Sequence, residues 1–203
     1  MASPSLPSIS SLSTADEGTI ISALDTLFEP SPDIHDMVLL AIRQKHVPAD
    51  SRVSSGLPAT SVSVSGAPFT SYPALINYVG ALMLHLVDEP TPERKEMLHR
   101  ILGSHPRLGA KKVDSAQSQA EQAQLNTGDA DEAVKLKALN DEYESRFPGL
   151  RYVVFVNGRS RSVIMENMRY RINRGDAAAE EKEAIQAMVD IALDRARKLE
   201  RAC

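Results

Sequence analysis

Apolar side chains recur every three to four residues along most of the chain, the spacing that places them on one face of an amphipathic helix. The first such run carries Ile20, Leu24 and Leu27 and begins at the capping-box pattern Thr14–Glu17. Seven further runs, most of them behind a cap residue, are predicted to begin near Ser31, Ser71, Thr91, Ser115, Asp129, Ser160 and Asp176. The pattern therefore predicts an all-α fold of about eight helices.

One segment departs from the helical spacing, because residues 152–156 are a continuous run of β-branched and aromatic side chains. A lone strand has no partner in a helical protein, so we expect an extended segment that packs among the helices. Residues 1–12 are rich in Ser and Pro and predict a disordered arm, which leaves residues 13–203 as one domain. Residues 48–66 predict a surface loop, although the sequence VSVS within them is also typical of a short strand.

The composition indicates a globular domain and argues against several classes of protein. Of the 203 residues, 42% are hydrophobic and 25% are charged, which is enough apolar material for a core. Only 4% are aromatic, so that core must be mainly aliphatic. The net charge of −4 disfavours binding to nucleic-acid phosphates. The single cysteine, Cys203, excludes an intrachain disulfide and a cysteine-based zinc site.

Targeting and membrane signals are also missing from the sequence. No apolar stretch approaches the roughly 20 residues of a membrane span. A secretory or transit signal contains basic residues near its start, but no basic residue precedes Arg43. The terminal Arg-Ala-Cys differs from a Ser-Lys-Leu peroxisomal signal. We therefore expect an intracellular protein without membrane contacts, in the cytoplasm or the peroxisome.

His105 is the first candidate for chemistry. It lies in the sequence GSHPRLG, between Gly103 and Gly109, where glycines and a proline could form a rigid turn that holds an imidazole at a pocket. Its ordinary pKa near 6.5 suits proton transfer at neutral pH. The alternative is a solvent-exposed loop histidine. The four other histidines lack metal-ligand spacing, so we expect no metal site.

Ser118, Glu121 and Gln122 form a second candidate near the start of a predicted helix. A helix N-terminus stabilises a carboxylate, and its free N–H groups can face an anionic ligand. A serine three residues before a glutamate is also a capping box, so a plain helix start would explain the same pattern. The residues by themselves leave both interpretations open.

Arg195 is the third candidate, and it lies in the last predicted helix. An apolar stripe along that helix comprises Ile185, Met188, Val189, Ala192, Ala196 and Leu199. Arg195 falls at the edge of this stripe, whereas Arg197 and Lys198 point away from it. An arginine on a buried face either extends its head group to solvent or binds an anion.

Taken in order, these segments resemble the 2-oxo-4-hydroxy-4-carboxy-5-ureidoimidazoline (OHCU) decarboxylase family of purine catabolism. The matching segments are LFEP at 27–30, Pro68-Phe69, HPRLG at 105–109, SQAEQ at 118–122 and LNDEYESRF at 139–147, with the extended segment and the last helix after them. Each motif alone is weak. Their combination in this order and at these separations is specific.

The resemblance implies an all-α enzyme, typically a homodimer, that needs no metal or organic cofactor. Such a carboxy-lyase converts OHCU, an unstable product of urate oxidation, into (S)-allantoin and CO₂. By position, the family's catalytic residues fall on His105, Glu121 and Arg195 of this chain. Its substrate contacts fall on Ser118, Gln122 and the backbone of Tyr152, Val153, Val154, Phe155 and Val156.

The resemblance also suggests roles. We expect His105 to handle the proton, Glu121 to hydrogen-bond the substrate or His105, and Arg195 to grip a carboxylate or carbonyl with its planar fork. Ser118 and Gln122 would hold the ureido group or the ring amide. The main alternative is a helical scaffold or ligand-binding homologue that kept the fold and lost the reaction. A decarboxylase of a related ureido acid is a further one.

Overall fold

The computed structural model describes residues 5–12, 14–44, 69–110, 115–123 and 130–201. Across these ranges the helices are α1 (Ile9–Leu12), α2 (Glu17–Phe28), α3 (Pro32–Gln44), α4 (Tyr72–Asp88), α5 (Pro92–Leu102), α6 (Ala116–Ala123), α7 (Ala130–Arg146), α8 (Arg161–Arg174) and α9 (Ala177–Arg201). The same ranges contain no β-strand. The predicted all-α single-domain bundle is therefore confirmed. The eight predicted helices correspond to α2–α9, and α1 is an additional single turn.

Most helices begin at the predicted cap residues. The side chains of Ser71, Thr91 and Ser160 each accept a main-chain N–H from the first turn of the helix that follows. The first long helix is different, because Asp16 rather than Thr14 caps α2, accepting the main-chain N–H three residues on at 3.0 Å. Asp16 lies nearer to the apolar run and therefore caps α2 in place of the predicted Thr14.

The long helix α9 organises the core. It packs against α4 and α2, while α7 pairs with α8 beside them. Five of the six residues of its predicted apolar stripe are buried, with Ile185, Met188 and Ala192 each at most 2% exposed, whereas Leu199 is half-buried. No helix within the described ranges is both long and apolar enough to cross a membrane.

Residues 5–12 contact the core, although they lie within the arm for which we predicted disorder. Leu12 is 2% exposed, and Leu6 and Ile9 pack partly buried against the core. The Tyr72 hydroxyl donates a hydrogen bond to the Pro7 carbonyl oxygen at 2.6 Å. The apolar positions within this Ser- and Pro-rich stretch therefore have partners that only the folded chain provides.

The segment 151–156 is neither helix nor strand, as expected. Tyr152 and Val153 are buried, and the Tyr152 ring packs edge-on against Tyr143 of α7 with ring centroids 5.5 Å apart. The segment thus forms part of the core between α7 and α8. The predicted loop at 48–66, with its candidate strand, lies outside the described residues.

Candidate active site

Four elements bring polar side chains together inside the apolar core. The end of α2 contributes Glu29, the turn after α5 contributes His105, α6 contributes Ser118 and Glu121, and α9 contributes Arg195. All of them except Glu121 are at most 5% exposed. We refer to Glu29, Ser118, Glu121 and Arg195 as the Arg195 cluster.

Arg195 holds this cluster together. Its Nε and Nη2 atoms donate to the two carboxylate oxygens of Glu121, each at 2.8 Å, in a two-pronged pair. Nη2 also donates to Glu29 Oε1 at 2.8 Å and to Ser118 Oγ at 3.0 Å. Nη1 lies 3.4 Å from two main-chain carbonyl oxygens near the end of α2. Every guanidinium nitrogen therefore has an acceptor.

Arg195 remains charged despite its burial. Burial opposes the charge, but Glu121 and Glu29 outweigh it and raise the pKa of the guanidinium above its ordinary value. The side chain is 2% exposed, so the interpretation in which it extends to solvent is wrong. The fork that was expected to grip a substrate is occupied here by Glu121, whose carboxylate pairs with Arg195.

Glu29 is the residue that our sequence analysis missed as a site residue. Its Oε1 atom accepts hydrogen bonds from Ser118 Oγ at 2.6 Å, Arg195 Nη2 at 2.8 Å and Ser115 Oγ at 2.9 Å. Burial raises the pKa of the Glu29 carboxyl, but Arg195 and the hydroxyl donors together hold it below its ordinary value, so Glu29 is ionised. The motif LFEP could have indicated this residue, because Glu29 is a single acidic residue directly after the apolar end of a helix.

His105 is buried rather than exposed, so the interpretation as a solvent-exposed loop histidine is wrong. Its side chain is 5% exposed, and its Nε2 atom has no hydrogen-bond partner among the described residues. Burial lowers the pKa of His105 to about 4, with Arg195 acting in the same direction and Glu29 against it. The imidazole is therefore neutral at pH 7, with one buried nitrogen left to bind a ligand.

Local contacts hold the turn that carries His105. The Arg151 guanidinium donates to the His105 carbonyl oxygen at 3.1 Å, which ties the turn to the extended segment. The Asn140 side-chain amide donates to the Leu108 carbonyl oxygen at 3.0 Å, which ties it to α7. Gly109 adopts a φ of 76°, a left-handed conformation that favours glycine. Two side-chain hydrogen bonds and a left-handed glycine therefore define the conformation of this turn.

The start of α6 decides between the two interpretations of Ser118. The Ser115 hydroxyl accepts the Ser118 main-chain N–H at 3.1 Å, so Ser115 is the residue that caps α6. Ser118 lies within the first turn and turns its hydroxyl inward to Glu29. The capping-box interpretation of Ser118 and Glu121 is therefore wrong.

The remaining expected substrate contacts are Gln122 and the backbone of residues 152–156. Gln122 lies in α6, but its side chain is outside the described residues. In the extended segment, the Val153 carbonyl oxygen accepts from Arg171 at 3.1 Å and the Val156 carbonyl oxygen from Arg159 at 3.2 Å. Substrate contacts of residues 152–156 stay a prediction.

Two surface cavities lie away from His105. One of about 300 Å³ is lined by residues 153–155 together with Asn167, Arg171 and Asp190. The other, about 740 Å³, is a groove between α7 and α8. The described ranges contain no group of three or more His, Cys, Asp or Glu side chains that could hold a metal ion.

Comparison with known proteins shows the family of the chain. Residues 13–197, nearly the whole chain, match the family described as OHCU decarboxylase. No curated protein was found to match the chain. The matched range includes every member of the Arg195 cluster as well as His105. The chain therefore belongs to the OHCU decarboxylase family.

Proposed function

We propose that this protein decarboxylates OHCU to (S)-allantoin without a cofactor. Its family membership supports a role in urate catabolism. The observation that carries the proposal is the buried, neutral His105, whose Nε2 atom is unpartnered beside a buried arginine and two carboxylates. A scaffold needs none of these groups in its core, where unsatisfied polar atoms reduce stability.

The reaction requires control of charge and of one proton. The bond between the carboxylate carbon and C4 of the ring breaks, CO₂ leaves, and the electron pair moves through the ring to its C=N nitrogen, which takes up a proton from solvent, while the C4 hydroxyl becomes the carbonyl of allantoin. A proton then reaches one face of the carbon that bears the ureido group and sets its configuration. Neutral His105 can first accept the proton of the C4 hydroxyl and then deliver a proton to carbon. A site that excludes water favours this chemistry, because water would stabilise the charged carboxylate of the substrate before the bond breaks.

Arg195 would bind the substrate carboxylate by exchanging partners. Its nitrogens are all occupied by acceptors, so an incoming carboxylate must replace one of them. Glu121 is the exchangeable partner, because its side chain is 29% exposed whereas that of Glu29 is 4% exposed. The substrate carboxylate has the same two-oxygen geometry as Glu121 and fits the same fork. Displaced Glu121 would then be free to hydrogen-bond the substrate or hold a proton.

Other predicted features belong to the same proposal. Ser118 and Gln122 would hold the ureido group or the ring amide, and the backbone of residues 152–156 would form a wall of the pocket. The protein would act as a homodimer, which sedimentation equilibrium can test. A sedimenting species of one chain, 22.1 kDa, would contradict that part of the proposal.

The test is to generate OHCU in situ from urate, with urate oxidase and hydroxyisourate hydrolase, and to follow circular dichroism after adding the purified protein. We expect a rapid (S)-allantoin signal that His105→Asn abolishes while its far-ultraviolet spectrum stays helical. A trace no faster than spontaneous, racemic decay would reject the proposal. That outcome would favour the ligand-binding or scaffold homologue, or a related ureido acid as substrate.

A further inference from the structure

Glu29 occupies a position that the chain adopts at a conformational cost. It follows directly after α2, with a φ of 69° and a ψ of 157°, a region that only glycine enters without strain. Its main-chain N–H still closes the last turn of α2 on the Asp25 carbonyl oxygen at 3.1 Å. The strained residue turns its carboxylate inward, where the side chain is 4% exposed. Such strain persists only when surrounding contacts over-determine the conformation.

Three donors converge on a single oxygen of Glu29. Two are the hydroxyls of Ser115 and Ser118, and the third is Arg195 Nη2. An ionised carboxylate can only accept hydrogen bonds, so both hydroxyls must point their protons at Glu29. The direction of the Ser118 hydroxyl is therefore set by a residue 89 positions away in the sequence.

The hydrogen bonds that Ser118 can still make follow from the number of protons and lone pairs on its hydroxyl. A serine hydroxyl has one proton and two lone pairs. Its proton is committed to Glu29, and one lone pair accepts from Arg195 Nη2 at 3.0 Å. One lone pair is left for a ligand, and it can receive only a donor. Ser118 thus selects an N–H group, such as those of a ureido group or ring amide, over a carbonyl oxygen.

We propose that Glu29 is a positioning residue that orients Ser118 as a hydrogen-bond acceptor for a substrate N–H group. The proposal rests on the proposed function for the identity of the substrate. Glu29 acts here through Ser118 and touches no reacting atom. If Glu29 were purely structural, it would stabilise the fold, and the direction of the Ser118 hydroxyl would not affect ligand binding.

A double-mutant cycle on the full chain separates these roles. The variants are Glu29→Gln, Ser118→Ala and their combination, measured for kcat/KM on OHCU and for the Kd of allantoate, a stable carboxylate with two ureido groups. We expect each single change to lower kcat/KM about tenfold to a hundredfold, the worth of one hydrogen bond to a charged group. The double variant should stay within about threefold of Ser118→Ala, because the two residues act as one unit. Glu29→Asp, which keeps the charge, replaces Glu29→Gln if the latter does not fold.

Glu180→Gln is the matched control. Glu180 is also a buried carboxylate with three donors, from Tyr143 Oη at 2.6 Å, Arg171 Nε at 2.8 Å and Arg174 Nη2 at 2.5 Å, outside the Arg195 cluster. Its loss should lower stability while kcat/KM per folded molecule stays within about twofold of the wild type, because its three hydrogen bonds go to no member of the Arg195 cluster.

The outcomes distinguish this proposal from the proposed function. If the wild type turns over OHCU and the effects of Glu29→Gln and Ser118→Ala multiply, the positioning role is wrong while the function stands. If the wild type is inactive on OHCU, the proposed function fails and the allantoate cycle decides. Coupled losses of allantoate affinity would then support the positioning role, and multiplicative losses or no binding would overturn it.

Discussion

His105 gains its chemistry from its surroundings rather than from its own side chain. In water an imidazole is half protonated near pH 6.5, whereas burial next to Arg195 lowers the pKa of His105 to about 4. The imidazole is therefore neutral at pH 7 and can accept a proton, as the proposed reaction requires. With this pKa, His105 is a weak base in the free protein. An anionic substrate bound beside it would favour the protonated imidazole and so raise the pKa of His105.

This environment predicts the acid limb of the pH profile. Since kcat/KM reports the pKa values of the free enzyme, we expect it to stay nearly constant from pH 7 down to about pH 5 and to fall with a midpoint near 4. Initial rates of allantoin formation by circular dichroism would measure it, with unfolding monitored in the same buffers. A midpoint near 6.5 would mean that His105 is not the essential base.

Arg195→Lys tests the planar fork at the centre of the cluster. Lysine keeps the positive charge but cannot donate along two parallel directions, so it cannot hold Glu121 as Arg195 does, nor bind the substrate carboxylate in the proposed way. We expect kcat/KM to fall about a hundredfold or more, by loss of two charge-assisted hydrogen bonds.

A matched surface variant controls for the change from arginine to lysine. Arg100 makes the same two-pronged contact to Asp33, with Nε at 3.0 Å and Nη2 at 2.8 Å, but its side chain is 57% exposed. Arg100→Lys should leave both activity and melting temperature nearly unchanged, because exposed ion pairs contribute little. Near-normal turnover by Arg195→Lys would contradict the role of its fork.

At the level of elements, a close crossing of α4 and α9 fixes the helix that carries Arg195. Gly80 of α4 lies against Val189 of α9, and a Cβ atom at position 80 would fall 2.7 Å from Val189 Cγ2. Real Cβ atoms do not approach other heavy atoms so closely. The absence of a side chain at Gly80 thus allows the two helices to pack at this separation.

Gly80→Val should destabilise the fold by about 1–3 kcal/mol, because the added atoms overpack the crossing. Urea denaturation followed by circular dichroism measures the free energy of unfolding. Ala81→Val, at the next and exposed position of α4, changes only helix propensity and should cost about 0.5 kcal/mol. Equal effects of the two substitutions would show that the crossing tolerates a side chain.

For the whole molecule, the buried site makes stability depend on pH. His105 binds its proton with a pKa of about 4 when folded and near 6.5 when unfolded, so between these values the unfolded chain binds more protons. The free energy of unfolding therefore rises with pH across this window, by on the order of 3 kcal/mol in total. The pKa of Glu29 is held below its ordinary value of 4.5, so its ionisation also favours the folded state above that range.

Thermal melts between pH 5 and pH 7 should thus show a melting temperature that increases with pH. His105→Asn removes the titrating group and should flatten this dependence, whereas the contribution of Glu29 appears only near and below pH 4.5. A slope that is unchanged in His105→Asn would mean that other groups cause it.

The sequence by itself determined the helices, because their signals are local. Cap residues such as Ser71 and Thr91 act on N–H groups three residues on, and the apolar stripe of α9 repeats within two turns. It also indicated His105, Ser118, Glu121 and Arg195 as candidates through motifs that resemble one family. Even local signals compete, because Asp16 rather than Thr14 caps α2, and the pattern at Ser118 left open a capping role that Ser115 fills.

Only the tertiary structure decided how the candidates act on one another. Glu29 lies 166 residues from Arg195 and 89 from Ser118, so no local pattern could indicate that all three share hydrogen bonds. The neutrality of His105 likewise depends on burial, since the same heptapeptide on a surface would keep an ordinary pKa. Helices arise from contacts between neighbours in the chain, whereas the charge, polarity and hydrogen-bonding direction of a buried site arise from the elements that packing brings together.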